Sequence, residues 1–217
     1  MTYGQDYFDT RKYSHKQQLV ERHVKEVLRW ATKNVGEDLL CGRGKSALDI
    51  GCAYGYTSRM LASLGYELIG SDVSRWGIKQ AKSILDREFL VCDVQTHLPF
   101  EDDKFDLVTC FDVLEHLPNP EKALLSMFDV CKGTLVCTTP NKKVEKLTRK
   151  LMHDYDDTHI SVKSPLDWCE CVANSLVAKE LKVEAFHDFA VRFSDRLFFK
   201  SFRARTYGLT VRIVATK

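Results

Sequence analysis

Four aspartates each follow a short apolar run in this chain, and two glycines stand just behind the first of them. The aspartates are Asp49, Asp72, Asp93 and Asp112. A carboxylate can accept hydrogen bonds from several hydroxyl or amino donors at once. Gly51 and Gly55 permit a tight turn, which brings backbone close to a bound nucleotide or nucleoside. These residue types therefore predict a site for a nucleoside-like ligand.

Two histidines could move a proton beside such a ligand, and they are the predicted catalytic residues. His116 follows Glu115 at the entrance to a predicted helix, where it could act as a general base or have a structural role only. His159 lies in a polar loop near the expected mouth of the site, where it could act as a base, contact substrate or belong to the loop alone.

The eight cysteines do not predict a metal site. Several lie in or beside apolar strand-like runs, where a thiol behaves as a small hydrophobe. Cys169 and Cys171 form a C-x-C pair on a predicted helix, so their sulfurs point to different faces, and the sequence contains no C-x-x-C. We therefore predict reduced thiols, no metal and a cytoplasmic location.

The elements that position these residues alternate between strand and helix. Apolar spacing predicts a first helix over residues 15–33. Further helices are expected after Gly55 and from Ser74, Asn119 and Ser164, and the polar stretch 140–163 is expected to connect two elements. Strands are predicted at residues 46–50, 66–71, 89–92, 106–111, 134–138, 182–186 and 209–215. This alternation predicts an α/β fold whose strand ends share one ligand-binding edge.

Length and composition suit a globular protein with a substantial core. The chain has 217 residues, of which 44% are hydrophobic and 29% charged, and its net charge is +2. No apolar run approaches the roughly 20 residues that a membrane span needs, and the N-terminus lacks the pattern of a secretory signal. Basic residues concentrate in 141–150 and 189–217, as on a solvated surface or on a rim that attracts an anionic substrate or nucleic acid.

Four segments between residues 46 and 141 together resemble the class I S-adenosylmethionine (SAM) methyltransferases of the ubiquinone, sugar and small-molecule methylating type. The segments are Leu-Asp-Ile-Gly-Cys-Ala-Tyr-Gly, Ile-Gly-Ser-Asp-Val-Ser, Val-Cys-Asp-Val and Phe-Asp-Leu-Val-Thr-Cys-Phe-Asp-Val-Leu-Glu-His-Leu-Pro-Asn-Pro. Residues 157–166 also resemble a His-bearing loop of this family. The resemblance implies a Rossmann-like sheet of seven strands in the order 3-2-1-4-5-7-6, with helices on both faces and strand 7 antiparallel. A dinucleotide fold is not indicated, because the glycine spacing is wrong.

The resemblance also implies how SAM would be held. Asp49 would help to hold the ammonium group of SAM, above the turn from Gly51 to Gly55. Asp72 would bind both ribose hydroxyls, unless it caps the following helix instead. The other members of the implied site, placed at the turns and strand ends of the motifs, are Cys52, Ala53, Val73, Asp93, Val94, Phe111 and Asp112. Asp93 and Val94 would recognise the adenine amino group, or Asp93 would close an Asx turn.

Two segments lie outside these motifs. Residues 1–40 are predicted to be a helical lid on a methyltransferase domain that spans residues 41–217. The lid candidates are Arg11 and the aromatic residues Tyr3, Tyr7, Phe8 and Tyr13, unless these rings only pack the N-terminal helix onto the domain. Residues 193–207 mix Phe with Arg and Lys, which favours a lid helix or dimer contact with a buried apolar side, or else an RNA-binding surface.

The function predicted is therefore SAM-dependent methyl transfer to a small-molecule acceptor, by a monomer or a homodimer. Two alternatives stay open, an RNA methyltransferase and a catalytically silent SAM-binding partner protein.

Overall fold

A single mixed sheet organises the chain, and the computed structural model describes it for residues 3–152, 156–193 and 196–217. The strands are β1 (Ser46–Ile50), β2 (Glu67–Asp72), β3 (Glu88–Val91), β4 (Phe105–Phe111), β5 (Cys131–Pro140), β6 (Glu180–Phe193), β7 (Arg196–Ala204) and β8 (Thr210–Thr216). The helices are α1 (Gln5–Thr10), α2 (Gln17–Val35), α3 (Tyr56–Ser63), α4 (Arg75–Ile84), α5 (Pro120–Asp129), α6 (Lys142–Met152) and α7 (Pro165–Ser175).

The strand order is β3-β2-β1-β4-β5-β8-β6-β7, with β1 to β5 parallel to one another. Strand β8 is antiparallel to both β5 and β6, and β7 is antiparallel to β6. The Rossmann-like α/β prediction is confirmed, including an antiparallel strand between the fifth and sixth strands. The predicted count of seven strands differs from the sheet, because β7 adds an eighth strand at its edge.

Residues 193–207 do not form the lid helix that the sequence suggested. Strand β7 occupies most of this segment and pairs with β6 from Ala185 to Phe193. Strand β6 pairs with β8 only as far as Phe186, so it continues past the end of its other neighbour. The hairpin of β6 and β7 therefore extends beyond the carboxyl edge of the sheet, where strand ends and connecting turns lie.

Residues 140–163 also differ from the expected connection, because α6 forms within them. Its buried anchor is Asn141, whose side chain donates to the carbonyl oxygens of Thr206 and Gly208 at 2.9 and 2.8 Å. This anchor fixes the start of α6 against the chain that leads into β8. The helix leads to the loop that carries His159, so it contributes to the position of that residue.

Helices cover both faces of the sheet, and each face buries its own apolar cluster. On one face α2 packs through Val24, Val27 and Leu28 against strand residues such as Leu107 and Val136. On the other face α5 and α7 pack against the sheet, with Trp168 fully buried. Burial of apolar area at roughly 25 cal/mol per Å² makes these two faces the main source of stability. Both faces hold the parallel strands rigidly, and so fix the turns at their carboxyl ends.

Candidate active site

The turn after β1 follows the sequence prediction, but its glycines serve the protein's own packing. Gly51 and Gly55 have φ angles of 71° and 78°, which favour glycine. A Cβ on Gly51 would lie 2.1 Å from Cγ2 of Val113, so the missing side chain admits Val113 rather than a ligand. Ala53, where the family more often has glycine, also adopts a left-handed φ of 49°. Cys52, which lies between Gly51 and Ala53 in the chain, is buried.

Asp72 links this turn to the next one along the rim. Its Oδ2 accepts from the backbone N–H of Ala53 at 2.8 Å, and its Oδ1 accepts from the N–H of Ser74 at 2.7 Å. Burial raises the pKa of Asp72 against the opposing effect of these two hydrogen bonds. The N-cap of α4 is Ser74, which accepts from the Gly77 N–H. Asp72 therefore has lone pairs left for a ligand.

Asp49 lies deeper than the other carboxylates of the rim. Its two oxygens accept from the hydroxyls of Ser58 at 2.6 Å and Thr109 at 3.0 Å, and the residue is 1% exposed. Burial raises the pKa of Asp49 to about 7, although both hydroxyls oppose the shift. Its predicted contact with a ligand ammonium group stays a prediction.

The third and fourth carboxylates stand at the ends of β3 and β4. Asp93 Oδ1 accepts from the Gln95 N–H at 2.9 Å, which is the Asx turn that the sequence left open, and Val94 is buried beside it. Asp112 is exposed, adopts a φ of 54° and accepts from the Thr138 hydroxyl at 3.0 Å. A left-handed φ is unusual for an aspartate, and such backbone angles are often found at functional sites.

Two apolar residues complete the rim. Val73 is 50% exposed beside Asp72, where a planar ligand group could pack. Phe111, at the end of β4, is half-buried against the ring of His23 from α2. The predicted binding residues thus converge on one edge of the sheet, with Asp49 below it.

The two candidate histidines meet beside this rim, with ring centroids 4.7 Å apart. His159 is held there because the backbone N–H groups of Ile160 and Ser161 both donate to the Glu115 carbonyl at 2.9 Å. His116 Nδ1 lies 2.7 Å from the Thr158 hydroxyl, and His159 Nδ1 lies 2.7 Å from Glu145 Oε1. Burial, followed by the charge of His159, lowers the pKa of His116, which favours its neutral form.

The proton positions in this pair follow from their partners. Thr158 donates its hydroxyl proton to Asp156, so its oxygen can only accept from His116 Nδ1–H. Glu145 as a carboxylate likewise accepts from His159 Nδ1–H. Nδ1 of each ring is thus engaged, and Nε2 of a neutral imidazole can accept a proton or bind a metal ion. Nε2 of His159 lies 3.7 Å from Asp156 Oδ2.

Glu115 lies beside the two imidazoles, and the sequence analysis gave it no role. It is 1% exposed, and within the described ranges neither of its carboxylate oxygens has a hydrogen-bond partner. Burial and then the charge of Asp112 raise the pKa of Glu115 well above its usual range. Ligand atoms of Glu115, His116 and His159 all lie within 4.8 Å of one another, as a metal site would require.

The N-terminal segment contacts this edge through Tyr3. Ser74 donates its hydroxyl to the backbone oxygen of Tyr3, and the Tyr3 ring contacts His116 with centroids 6.0 Å apart. The Arg11 guanidinium stacks 3.8 Å from the Tyr7 ring centroid and pairs with Asp156 at 2.6 Å. Tyr3 therefore lies beside the rim, and the lid role of the N-terminal aromatic residues stays a prediction.

Tyr13 is a further residue of the N-terminal segment that is influenced by the rim carboxylates. Burial, then the charges of Asp72 and Asp49, raises the pKa of the Tyr13 phenol. Its ring stacks on Tyr56, the first residue of α3, and contacts Tyr54 in the turn after β1. Sequence periodicity could not place this phenol above the rim, because the short helical turn that carries it has no apolar pattern of its own.

Comparison with known proteins agrees with this architecture. Residues 17–175 match the methyltransferase domain family, which is most of the chain. The chain belongs to this family. Its predicted class, the class I SAM-dependent methyltransferases, is thereby confirmed, and SAM is the cofactor of that class.

Two curated relatives are both named ubiquinone biosynthesis O-methyltransferase. The one from Azoarcus sp. (strain BH72) is 33% identical over 110 residues, which is 47% of this chain and 47% of that enzyme. The one from Actinobacillus pleuropneumoniae serotype 7 (strain AP76) is 28% identical over 178 residues, 69% of this chain and 73% of that enzyme. The chain thus spans about half of the first relative's length and about three quarters of the second's.

Solved structures share the methyltransferase fold. A SAM-dependent methyltransferase from Archaeoglobus fulgidus superimposes with a TM-score of 0.71 at 20% identity, over 98% of this chain and 100% of that one. Magnesium protoporphyrin IX methyltransferase from Synechocystis, solved with bound SAH, has a TM-score of 0.64 at 17% identity, over 98% and 97%. Within the described parts of the chain, no helix is long and apolar enough to cross a membrane.

Proposed function

We propose that this protein methylates a hydroxyl oxygen of a small molecule with SAM as methyl donor. The observation that carries the proposal is the convergence of Asp72 and the His116–His159 pair on one edge, beneath the N-terminal segment. A hydroxyl acceptor is favoured because His116, whose pKa is lowered by burial, stands beside His159 at this edge, where an imidazole could take the proton of a hydroxyl. The names of the O-methyltransferase relatives point to the same kind of acceptor.

The residues at the rim fit the donor that the family uses. Asp72 is a buried carboxylate with free lone pairs, which suits the two hydroxyls of a ribose. Asp112 is an exposed carboxylate at the rim, where it would face a ligand whose sulfur and ammonium group are positive, and Asp49 is buried below it. Val73 offers an apolar contact for an adenine. The remaining predicted contacts, Gly51, Gly55, Cys52, Ala53, Asp93, Val94 and Phe111, would shape the same crevice.

When bound, SAM supplies a methyl group on a positively charged sulfur, so the acceptor oxygen forms a C–O bond as the C–S bond breaks and sulfur keeps the electron pair. The protein aligns the acceptor, excludes water and takes the hydroxyl proton. His116 Nε2 or His159 Nε2 accepts that proton, and the partner on Nδ1 stabilises the charge that results. Alignment of this kind is worth roughly 7–11 kcal/mol in favourable cases.

The lid proposal assigns water exclusion to the N-terminal segment. Residues 1–40 would close over the crevice, and residues 41–217 would form the catalytic domain. Tyr3, Tyr7 and Arg11 would hold the closed state through Ser74, His116 and Asp156. We further infer a reducing, cytoplasmic setting, because the cysteines are free thiols and half of them are fully buried.

A titration calorimetry experiment with SAM tests this function. Asp72→Asn should weaken SAM binding by at least about tenfold, or 1.4 kcal/mol, because the amide presents one acceptor oxygen instead of two. Asp86→Asn, at an exposed position after α4, is the matched control and should leave affinity unchanged. Equal affinities in all three proteins would contradict the assignment of Asp72. SAM binding without methyl transfer to any hydroxyl acceptor would favour a silent partner protein instead.

An RNA acceptor is the second candidate, and one observation favours it. On the outer face of the β6–β7 hairpin, Phe189, Phe198 and Phe202 are 51%, 57% and 53% exposed. The exposed Lys200 lies between them, so the face offers both stacking and positive charge. Filter binding of a tRNA at physiological salt separates the candidates, because an enzyme that acts on small molecules would leave no tRNA bound to the filter.

A further inference from the structure

The outer face of the β6–β7 hairpin carries apolar side chains that the described chain leaves exposed. Cross-strand partners project to the same face of a sheet, and the register pairs Val191 with Phe198 and Phe189 with Lys200. The rings of Phe189 and Phe202 contact each other, with centroids 6.3 Å apart. The residues of the outer face are His187, Phe189, Val191, Phe198, Lys200 and Phe202. Val191 is 64% exposed, and the three phenylalanines are each more than half exposed.

The opposite face of the hairpin is fixed by the protein itself. Asp188 from β6 and Ser201 from β7 each accept a hydrogen bond from Nη2 of Arg212 at 2.6 Å, and Arg212 is 1% exposed. Phe199 packs there against the ring of His23 from α2, with centroids 6.0 Å apart. These contacts hold both strands of the hairpin to β8 and α2. The outer face is therefore preformed, and a partner that binds it does not first have to order the hairpin.

The composition of the outer face suits a protein partner better than a nucleic acid. Lys200 is the one lysine or arginine among its six residues. Interfaces with nucleic acid are much more positively charged, whereas the core of a protein–protein interface is rich in aromatic residues and poor in charge. Lys200 lies on β7, the last strand of the sheet, so its ammonium group can reach solvent beyond the edge while its stem lies along the rings.

The outer face also has the area of an interface core. A phenylalanine side chain covers about 200 Å², so the three half-exposed rings together with Val191 present roughly 400 Å². The largest apolar patch on a typical monomer is about 300–600 Å² and is often functional. A standard interface buries about 800 Å² on each partner, in which a polar rim surrounds the apolar core. The outer face therefore supplies the apolar core of an interface of standard size.

We propose that two copies of this chain associate through their outer faces, about a two-fold axis, to form a homodimer. A second copy brings the same aromatic patch, so the apolar core of the contact is matched on both sides, and a two-fold contact closes on itself. Two hairpins packed face to face, about 10 Å apart, let the rings of one copy interdigitate with those of the other. Each Lys200 then lies at the rim of the contact. This proposal concerns assembly and stands independently of methyl transfer.

Sedimentation equilibrium of the protein over a range of concentrations tests the dimer. We expect a reversible change from one chain to two as the concentration rises. Phe198→Ser with Phe202→Ser should weaken the association by about tenfold or more, because aromatic residues at the centre of an interface usually carry much of its affinity. At concentrations at which both proteins are monomeric, their thermal unfolding should coincide, which shows that the variant is folded.

The matched control is Val91→Ser with Val177→Ser, at two exposed apolar positions outside the hairpin, and it should associate as the unchanged protein does. An unchanged protein that stays monomeric at about 100 µM overturns the proposal, since contacts of this size have micromolar or tighter affinity. A dimer that the hairpin serines leave intact, or that the control weakens equally, overturns it as well. Retention of tRNA by a monomer, lost in the hairpin variant, would overturn it in favour of a nucleic-acid surface.

Discussion

Arg11 and Asp156 form an ion pair with an Nη2–Oδ2 distance of 2.6 Å, between residues 145 positions apart in the chain. Asp156 also accepts from the backbone N–H of Thr158 at 3.0 Å, so the same carboxylate holds the N-terminal segment and the loop of His159. Burial would raise the pKa of Asp156, but the bonds from Thr158 and Arg11 outweigh it and lower the pKa. The N-terminal segment and the loop of His159 are therefore linked through the side chain of Asp156.

Removal of this ion pair should loosen the lid. Arg11→Met should cost roughly 1–3 kcal/mol of unfolding free energy at pH 7, the usual worth of hydrogen bonds to a charged group. Because the pKa of Asp156 is lowered on folding, this contribution is present above the ordinary aspartate pKa and is lost as the pH falls below it. Urea unfolding at pH 7 and pH 3 measures it. Arg22→Met, at an exposed position, should change neither value.

Ala53→Gly should stabilise the protein by about 1 kcal/mol, because a left-handed alanine costs 1–2 kcal/mol and glycine does not. Part of that gain is offset by the greater freedom of glycine in the unfolded chain. Ala62→Gly in α3 is the opposite case and should cost about 1 kcal/mol. Thermal unfolding of both variants measures the difference. A loss of stability in Ala53→Gly would contradict the role assigned to the backbone angle.

Asp49 should make stability depend on pH. Its pKa is raised to about 7 by burial, so the folded protein holds a proton that the unfolded chain releases at a pH near 4. The stabilisation is present below pH 4 and is lost as the pH rises to about 7. Asp49→Asn should remove this dependence, so that the variant gains stability relative to the unchanged protein at pH 8 but not at pH 4. Parallel curves for the two proteins would refute the buried position of Asp49.

Thr158→Val should lower kcat by roughly tenfold and leave the Kd for SAM unchanged. Valine keeps the shape of threonine but removes the acceptor that fixes the His116 tautomer, at a contact worth 10–100-fold in comparable sites. Thr158→Ser restores the hydroxyl and should recover most of the rate. Steady-state kinetics and SAM titration measure the two quantities, and a valine variant as fast as the serine variant would exclude a role for the hydroxyl.

The outer face of the β6–β7 hairpin should be dispensable for folding. Phe198→Ser with Phe202→Ser should change the unfolding free energy by no more than about 0.5 kcal/mol, because both rings are more than half exposed. Phe199→Ser is the contrasting variant, since Phe199 is half-buried against His23 and its loss should cost several times more. Chemical unfolding measures both, and light scattering shows whether the exposed rings also drive self-association.

The sequence by itself determined the alternation of strands and helices, the family and the four carboxylates of the rim. These follow from local signals, because a strand period, a glycine turn and an Asn-Pro or Ser-Pro helix start involve neighbouring residues only. The same signals misjudged residues 193–207. A strand at the edge of a sheet that extends past its neighbour has one pairing partner and exposed rings, so its pattern resembled that of an amphipathic helix.

Only the tertiary structure decided which of these residues act together. Asp49 and Asp72 have similar motifs, yet one is sealed under two hydroxyls and the other faces the rim, because the depth of a strand end depends on the neighbouring turn. Glu115 and His159 are 44 positions apart, and backbone hydrogen bonds between their loops bring them together. Contacts over such separations depend on how the whole chain packs, and no local pattern of residues specifies them.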